Sequence, residues 1–133
     1  MKNEMKKQTR PLSSYDHNVL LPVLMKGLET KKGKMNAVNS KQIVQGLRSQ
    51  GLRVNERDVG SLINHIRTND LVAGLIATSA GFYITDNEQE LVGYENTLLK
   101  YETTLRKVRL SILRQRRAMF AQRVSKEIQT QLF

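Results

Sequence analysis

The chain has no cysteine and no tryptophan, two prolines and two histidines, and few acids for its length. Without cysteine there is no disulfide framework, no thiolate zinc site and no sulfur nucleophile. His17 and His65 are the only imidazoles, which leaves little material for a metal centre or a nucleophile–base pair. No G-x-x-x-x-G-K-S/T, G-x-G-x-x-G or H-E-x-x-H pattern occurs, so the spacings that cradle phosphates or hold zinc are missing. Long apolar runs are also lacking. The longest, Val19–Met25, has seven residues and includes Pro22, whereas a bilayer span needs about 18–20. No signal-peptide core follows the basic start. These absences lead us to expect no enzyme activity, no cofactor, no metal, no small-molecule ligand and no membrane partner.

What is abundant is positive charge. The 133 residues carry 22 Lys+Arg against 12 Asp+Glu, a formal net charge of +10. Such an excess makes a polyanion the default partner, through attraction to phosphates and release of their counterions. A composition of 39% hydrophobic residues suffices for one small core. The charge is uneven. Residues 1–15 open with Lys2, Lys6, Lys7 and Arg10, show no apolar periodicity, and read as a basic disordered arm. Lys26, Lys31, Lys32 and Lys34 gather around Gly33. Asp86, Glu88, Glu90, Glu95 and Glu102 make the next stretch acidic, and residues 103–126 then hold eight cations and no acid. Asp86, Glu88 and Glu90 are better explained as complements of a helix dipole than as metal ligands.

Leu20, Leu21, Leu24, Met25 and Leu28 recur at helical spacing and predict a helix over about 16–30. Pro22 is tolerated in a first turn, so the helix is expected to start after His17. A lysine–glycine loop and a short extended piece at Met35–Val38 follow. Asn39 or Ser40 is expected to cap a second helix that buries Ile43, Val44 and Leu47 and ends at Gly51. Asn55, with Asp58 three residues on, predicts a capped third helix to about Asn69. Leu71–Thr78 and Phe82–Asp86 around Ser79-Ala80-Gly81 predict a hairpin, and 88–123 a long helix without proline. The expected class is mainly α with a small β-hairpin (α+β).

This order is that of a winged helix-turn-helix over residues 16–87, followed by a C-terminal helix over 88–133. Asn36-Ala37-Val38, Ser40-Lys41-Gln42-Ile43, Asn55-Glu56-Arg57-Asp58-Val59, Leu62-Ile63-Asn64-His65-Ile66-Arg67 and Ala80-Gly81-Phe82-Tyr83-Ile84 carry the likeness. Over about residues 17–86 the chain resembles the small winged helix-turn-helix DNA-binding proteins of phages and prophages. That resemblance implies the cytoplasm of a bacterial or phage-infected cell, and duplex DNA as partner. At ~100° per residue, Val59, Leu62, Ile63 and Ile66 form the core face of the third helix. Arg57, Ser61, Asn64 and Thr68 lie opposite, with Gly60, His65 and Arg67 at the shoulders. Side chains of these types hydrogen-bond base edges in a major groove, so Arg57, Ser61, Asn64, His65, Arg67 and Thr68 are the base-reading candidates. Relatives of this type often have a basic residue where Gly60 stands, and their wings usually carry Lys or Arg. Thr78–Gly81 has neither. Phosphate contacts therefore fall to Lys31, Lys32, Lys34, Lys41, Arg48 and Arg53, to the arm, and to Arg114, Arg116 and Arg117. Phe82 and Tyr83 are expected to pack rather than stack on bases.

In the last helix, Leu91, Tyr94, Leu98, Tyr101, Leu105, Val108, Ile112 and Met119 alternate spacings of three and four, interrupted at Gln115. This is an a/d seam of about four heptads, the pattern of a coiled coil, and a homodimer is expected through it. The other arrangement open to it is folding back at a kink near Gly93 to complete a monomer core. An acidic first half and a basic second half complement each other in an antiparallel pair, whereas a parallel pair stacks like charges. The sequence leaves the orientation open.

Two functions follow from different classes. One is sequence-dependent or general duplex DNA binding, as a phage or mobile-element regulator or replication accessory protein. The other is a protein-interaction adaptor with the winged domain as scaffold and the last helix as coiled coil. General RNA binding fits the charge but finds no aromatic platform.

Overall fold

The computed structural model describes residues 11–132, and their side chains as far as Ala121. A π-helical turn, Asp16–Leu20, runs into α1 (Leu21–Glu29). A 3-10 turn at Lys34–Asn36 is followed by α2 (Ser40–Ser49), α3 (Glu56–Thr68), β1 (Leu75–Thr78), β2 (Gly81–Ile84) and α4 (Glu88–Leu132). The fold is mainly α with one antiparallel hairpin and a long C-terminal helix. It divides into two units, the first ending at Leu91 and the second beginning at Val92.

The first helix starts earlier than its proline suggests. Helical residues begin at Ser14. Ser13 Oγ accepts from the Asp16 amide, and an Asp16 carboxylate oxygen accepts from the Ser13 amide. That is a capping box of the form S-x-x-D, which satisfies amides a helix start leaves unpaired. Pro22 therefore lies within a helical path, not in its first turn. A proline has no N–H to give, and its ring crowds the carbonyl one turn back. Here the Leu21 amide reaches back to Asp16 O, and this wider turn makes room for the ring. Leu12 and Tyr15, expected in the arm, pack against the core. Residues 1–10 of that arm lie outside the described residues.

Asn39 and Asn55 cap α2 and α3, each through a reciprocal box with Gln42 and Asp58 respectively. Gly51, at φ 81°, closes α2 in the left-handed region that favours glycine. Once capped, the two helices bury Ile43, Val44 and Leu47 against Val59, Leu62, Ile63 and Ile66, with Leu20, Leu24 and Leu28 of the first helix completing the core. Val59, Leu62 and Ile66 are fully buried. Each such side chain contributes on the order of 2 kcal/mol by leaving water.

The hairpin pairs Leu75 with Ile84 and Thr78 with Gly81, which leaves Ser79-Ala80 as a two-residue tip. Its second edge is not bare. Lys32 bridges Ile84, and Val38 bridges Phe82 with mutual backbone bonds of 3.0 and 2.7 Å. The extended piece expected at Met35–Val38 is thus confined to Val38, while Met35 lies fully exposed in the 3-10 turn. Gly81 allows the close approach of Val38. Its φ is 119°, and a Cβ there would stand 2.5 Å from Val38 O.

Candidate nucleic-acid interface

The α2–α3 reversal is held by two arginines. Arg48 Nε donates to Val54 O at 2.9 Å. Arg53 lies over the Tyr15 ring, 5.4 Å from its centroid, and its amide donates to the Tyr15 hydroxyl at 3.0 Å. Both arginines are exposed, and both pin the turn that aims α3. The sequence offers them to phosphate because Thr78–Gly81 lacks cations; it contains no signal for Tyr15 reaching across 38 residues to Arg53.

Along α3 the six base-reading candidates separate. Arg57 and Thr68 are exposed and Asn64 is half-buried, on one stripe of the helix. Thr68 Oγ1 donates to Asn64 O at 2.8 Å, so its hydroxyl is turned to its own helix. Ser61, expected on the same stripe, is buried, and its hydroxyl donates to Arg57 O at 3.2 Å. A short side chain lies close to the helix backbone, where its hydroxyl takes the local carbonyl. His65 is half-buried and meets His17 edge-on, with centroids 6.0 Å apart. It is turned towards the first helix. Its carbonyl also accepts from Asn69 Nδ2 at 2.9 Å. Arg67 is exposed in the last turn.

The lysine loop is fixed to β2 by its backbone. Lys31 O accepts from the Ile84 amide at 2.7 Å, and the Gly33 amide donates to Ile84 O at 2.8 Å. Lys32 and Lys34 are exposed and Lys31 is half-buried. Lys41 is exposed in the first turn of α2, two residues past the Asn39 cap, and Val38 ties that cap to Phe82. The loop and the start of α2 therefore share the β2 edge of the wing, and they supply the cations that the Ser79-Ala80 tip lacks. Phe82 packs against the core. Tyr83 is buried, and burial pushes its hydroxyl above the usual tyrosine value, helped by the charge and hydrogen bond of Glu90. Thr85 Oγ1 donates to the same carboxylate. Glu90 thus ties the hairpin to the start of α4, a role that the sequence does not reveal.

In α4, Arg114, Arg116 and Arg117 are exposed. So is the apolar seam: Leu105 is 63% exposed, Ile112 57% and Met119 66%, while Leu91 and Tyr94 are half-buried. The helix runs through Gly93 without a break, contrary to a fold-back at that residue. Among the described residues, no helix is long and apolar enough to cross a membrane, and no three His, Asp or Glu side chains gather as a metal site would require. Comparison with protein-family models, curated proteins and solved structures finds no match to this chain.

Proposed function

We propose that this protein binds duplex DNA, with α3 entering the major groove, and that it serves as a phage-type or mobile-element regulator or replication accessory protein. The reading is carried by the outward stripe of α3. Arg57 and Asn64 stand seven residues apart on the side opposite buried Val59, Leu62 and Ile66, and no acid interrupts that stripe. Arginine and asparagine are the side chains best matched to guanine and adenine edges. With Arg57, Asn64 and Arg67 instead of six residues offered to the bases, sequence preference is modest and affinity rests on phosphate contacts. Lys32, Lys34 and Lys41 deliver these along the wing edge, and Arg114, Arg116 and Arg117 deliver them from α4. Association of two copies through the exposed α4 seam gives an assembly with two such domains.

Titration of duplex DNA binding against salt tests the proposal. Binding at ~50 mM salt that weakens steeply with added salt is the expected result, because each phosphate contact releases condensed counterions. Absence of binding at that salt overturns it. The uncharged wing tip and the exposed seam favour the adaptor as second reading, and it stands if the chain self-associates yet ignores DNA.

A further inference from the structure

We propose that two copies of the chain pair through α4 in antiparallel orientation, in one register set by a ladder of glutamates and arginines. This rests on the self-association proposed above and is tested in the absence of DNA. With Leu98, Leu105 and Ile112 at a positions and Tyr101 and Val108 at d, the e positions read Glu88, Glu95, Glu102, Arg109, Arg116, Arg123. Three acids are followed by three bases at strict seven-residue intervals. The helix carries all six positions, and the side chains from Glu88 to Arg116 in this series are exposed.

In an antiparallel pair of helices, e positions of the two chains face each other on one flank of the seam. The series is its own complement when reversed: Glu102 meets the partner's Arg109, Glu95 the partner's Arg116, and Glu88 the partner's Arg123. The two-fold axis doubles each contact. The same register stacks Leu105 on the partner's Val108, Tyr101 on the partner's Ile112, and Tyr94 on the partner's Met119. It places Gln115, the polar residue within the Leu91–Met119 seam, against the partner's Leu98. A slip of one heptad sets Glu102 against its own copy in one direction, and Arg109 against its own copy in the other. Register is therefore selected as well as orientation.

A parallel pair gains nothing from this ladder. There, a g residue meets the partner's e residue five positions on. Thr97, Thr104 and Ser111 at g offer no charge to Glu102, Arg109 or Arg116, and Glu90 meets Glu95.

Charge exchange on the full-length chain tests the ladder. The double variants Glu95→Arg/Glu102→Arg and Arg109→Glu/Arg116→Glu should each self-associate at least about tenfold more weakly than the parent, since each sets like charges face to face. Their equimolar mixture should recover the parent's affinity, because every pair is then opposite in sign; this recovery also shows that both variants fold. A monomeric parent at high concentration, doubles that dimerise as tightly as the parent, or a mixture without recovery overturns the proposal. The chain's lack of cysteine gives a direct reading of orientation. Leu98→Cys and Gln115→Cys chains should join through a short thiol cross-linker only when mixed, because like positions lie 17 residues, roughly 25 Å, apart in this register. Cross-linking of each variant with itself, and not with the other, indicates a parallel pair and overturns it. A monomer that binds DNA defeats this inference alone; an antiparallel dimer indifferent to DNA defeats only the DNA reading.

Discussion

Arg48 Nε donates to the Val54 carbonyl at 2.9 Å and so joins the last turn of α2 to the residue before the α3 cap. An exposed arginine thereby ties the two helices of the motif across their connection. Arg48→Ala should lower stability by about 1 kcal/mol, the usual contribution of such a bond. Arg48→Lys should not restore it, because an ammonium has no nitrogen at the Nε position. Urea denaturation of the three proteins checks this; equal midpoints would show that the contact does not hold the turn.

Gly81 and Gly46 should respond oppositely to alanine. Gly81 combines φ 119° with the Val38 carbonyl where a Cβ would stand, so Gly81→Ala should cost about 2 kcal/mol or more. Gly46 is helical with open space around it, so Gly46→Ala should stabilise by about 0.5–1 kcal/mol. Thermal melts of both variants give the comparison, and a harmless Gly81→Ala would contradict the packing of Val38 on the wing.

Alkaline pH should loosen the hairpin through Tyr83. Its hydroxyl is raised above 10.0 by burial first, then by the charge and hydrogen bond of Glu90. The folded state therefore holds this proton where the unfolded chain releases it. The contribution is fully present below the unfolded pKa of 10.0 and is lost as pH rises from there through the higher folded value. Tyr83→Phe should lower stability at neutral pH and flatten the decline above pH ~10. Stability curves of both proteins from neutral to alkaline pH decide it; an unchanged slope in Tyr83→Phe would remove Tyr83 as the cause.

On DNA, Asn64→Ala and removal of residues 103–133 should differ in kind. Loss of a base-reading side chain costs about 1–3 kcal/mol on the preferred sequence and little on others. Removing the cationic half of α4 should weaken all duplexes alike and flatten the salt dependence. Binding isotherms on two unrelated duplexes distinguish them. An equal loss on both for Asn64→Ala would displace α3 from the groove.

Much of this fold is legible in local patterns, because local chemistry decides them. Asn39 and Asn55 announce helix starts through reciprocal boxes with Gln42 and Asp58. Gly51 announces a helix end, and Val59, Leu62, Ile63 and Ile66 announce a buried face. Ser13 with Asp16 is the same signal, outweighed in the sequence reading by Pro22; the π turn that reconciles them depends on one backbone bond from Leu21 to Asp16. The site is less legible. Helical spacing puts Ser61 outward and His65 on a shoulder, yet burial takes the first and the His17 ring engages the second.

By itself the sequence determined the order of elements, the absence of thiol chemistry, and the uneven +10 charge with its seven-residue series of acids then bases, because caps, turns and periodicities act over a few residues. Only the tertiary structure decided which polar groups remain outward. Arg53 is drawn to Tyr15 and His65 to His17. Each is a meeting of segments whose proximity depends on how the whole core packs, and that packing sums many weak contacts with no local signature.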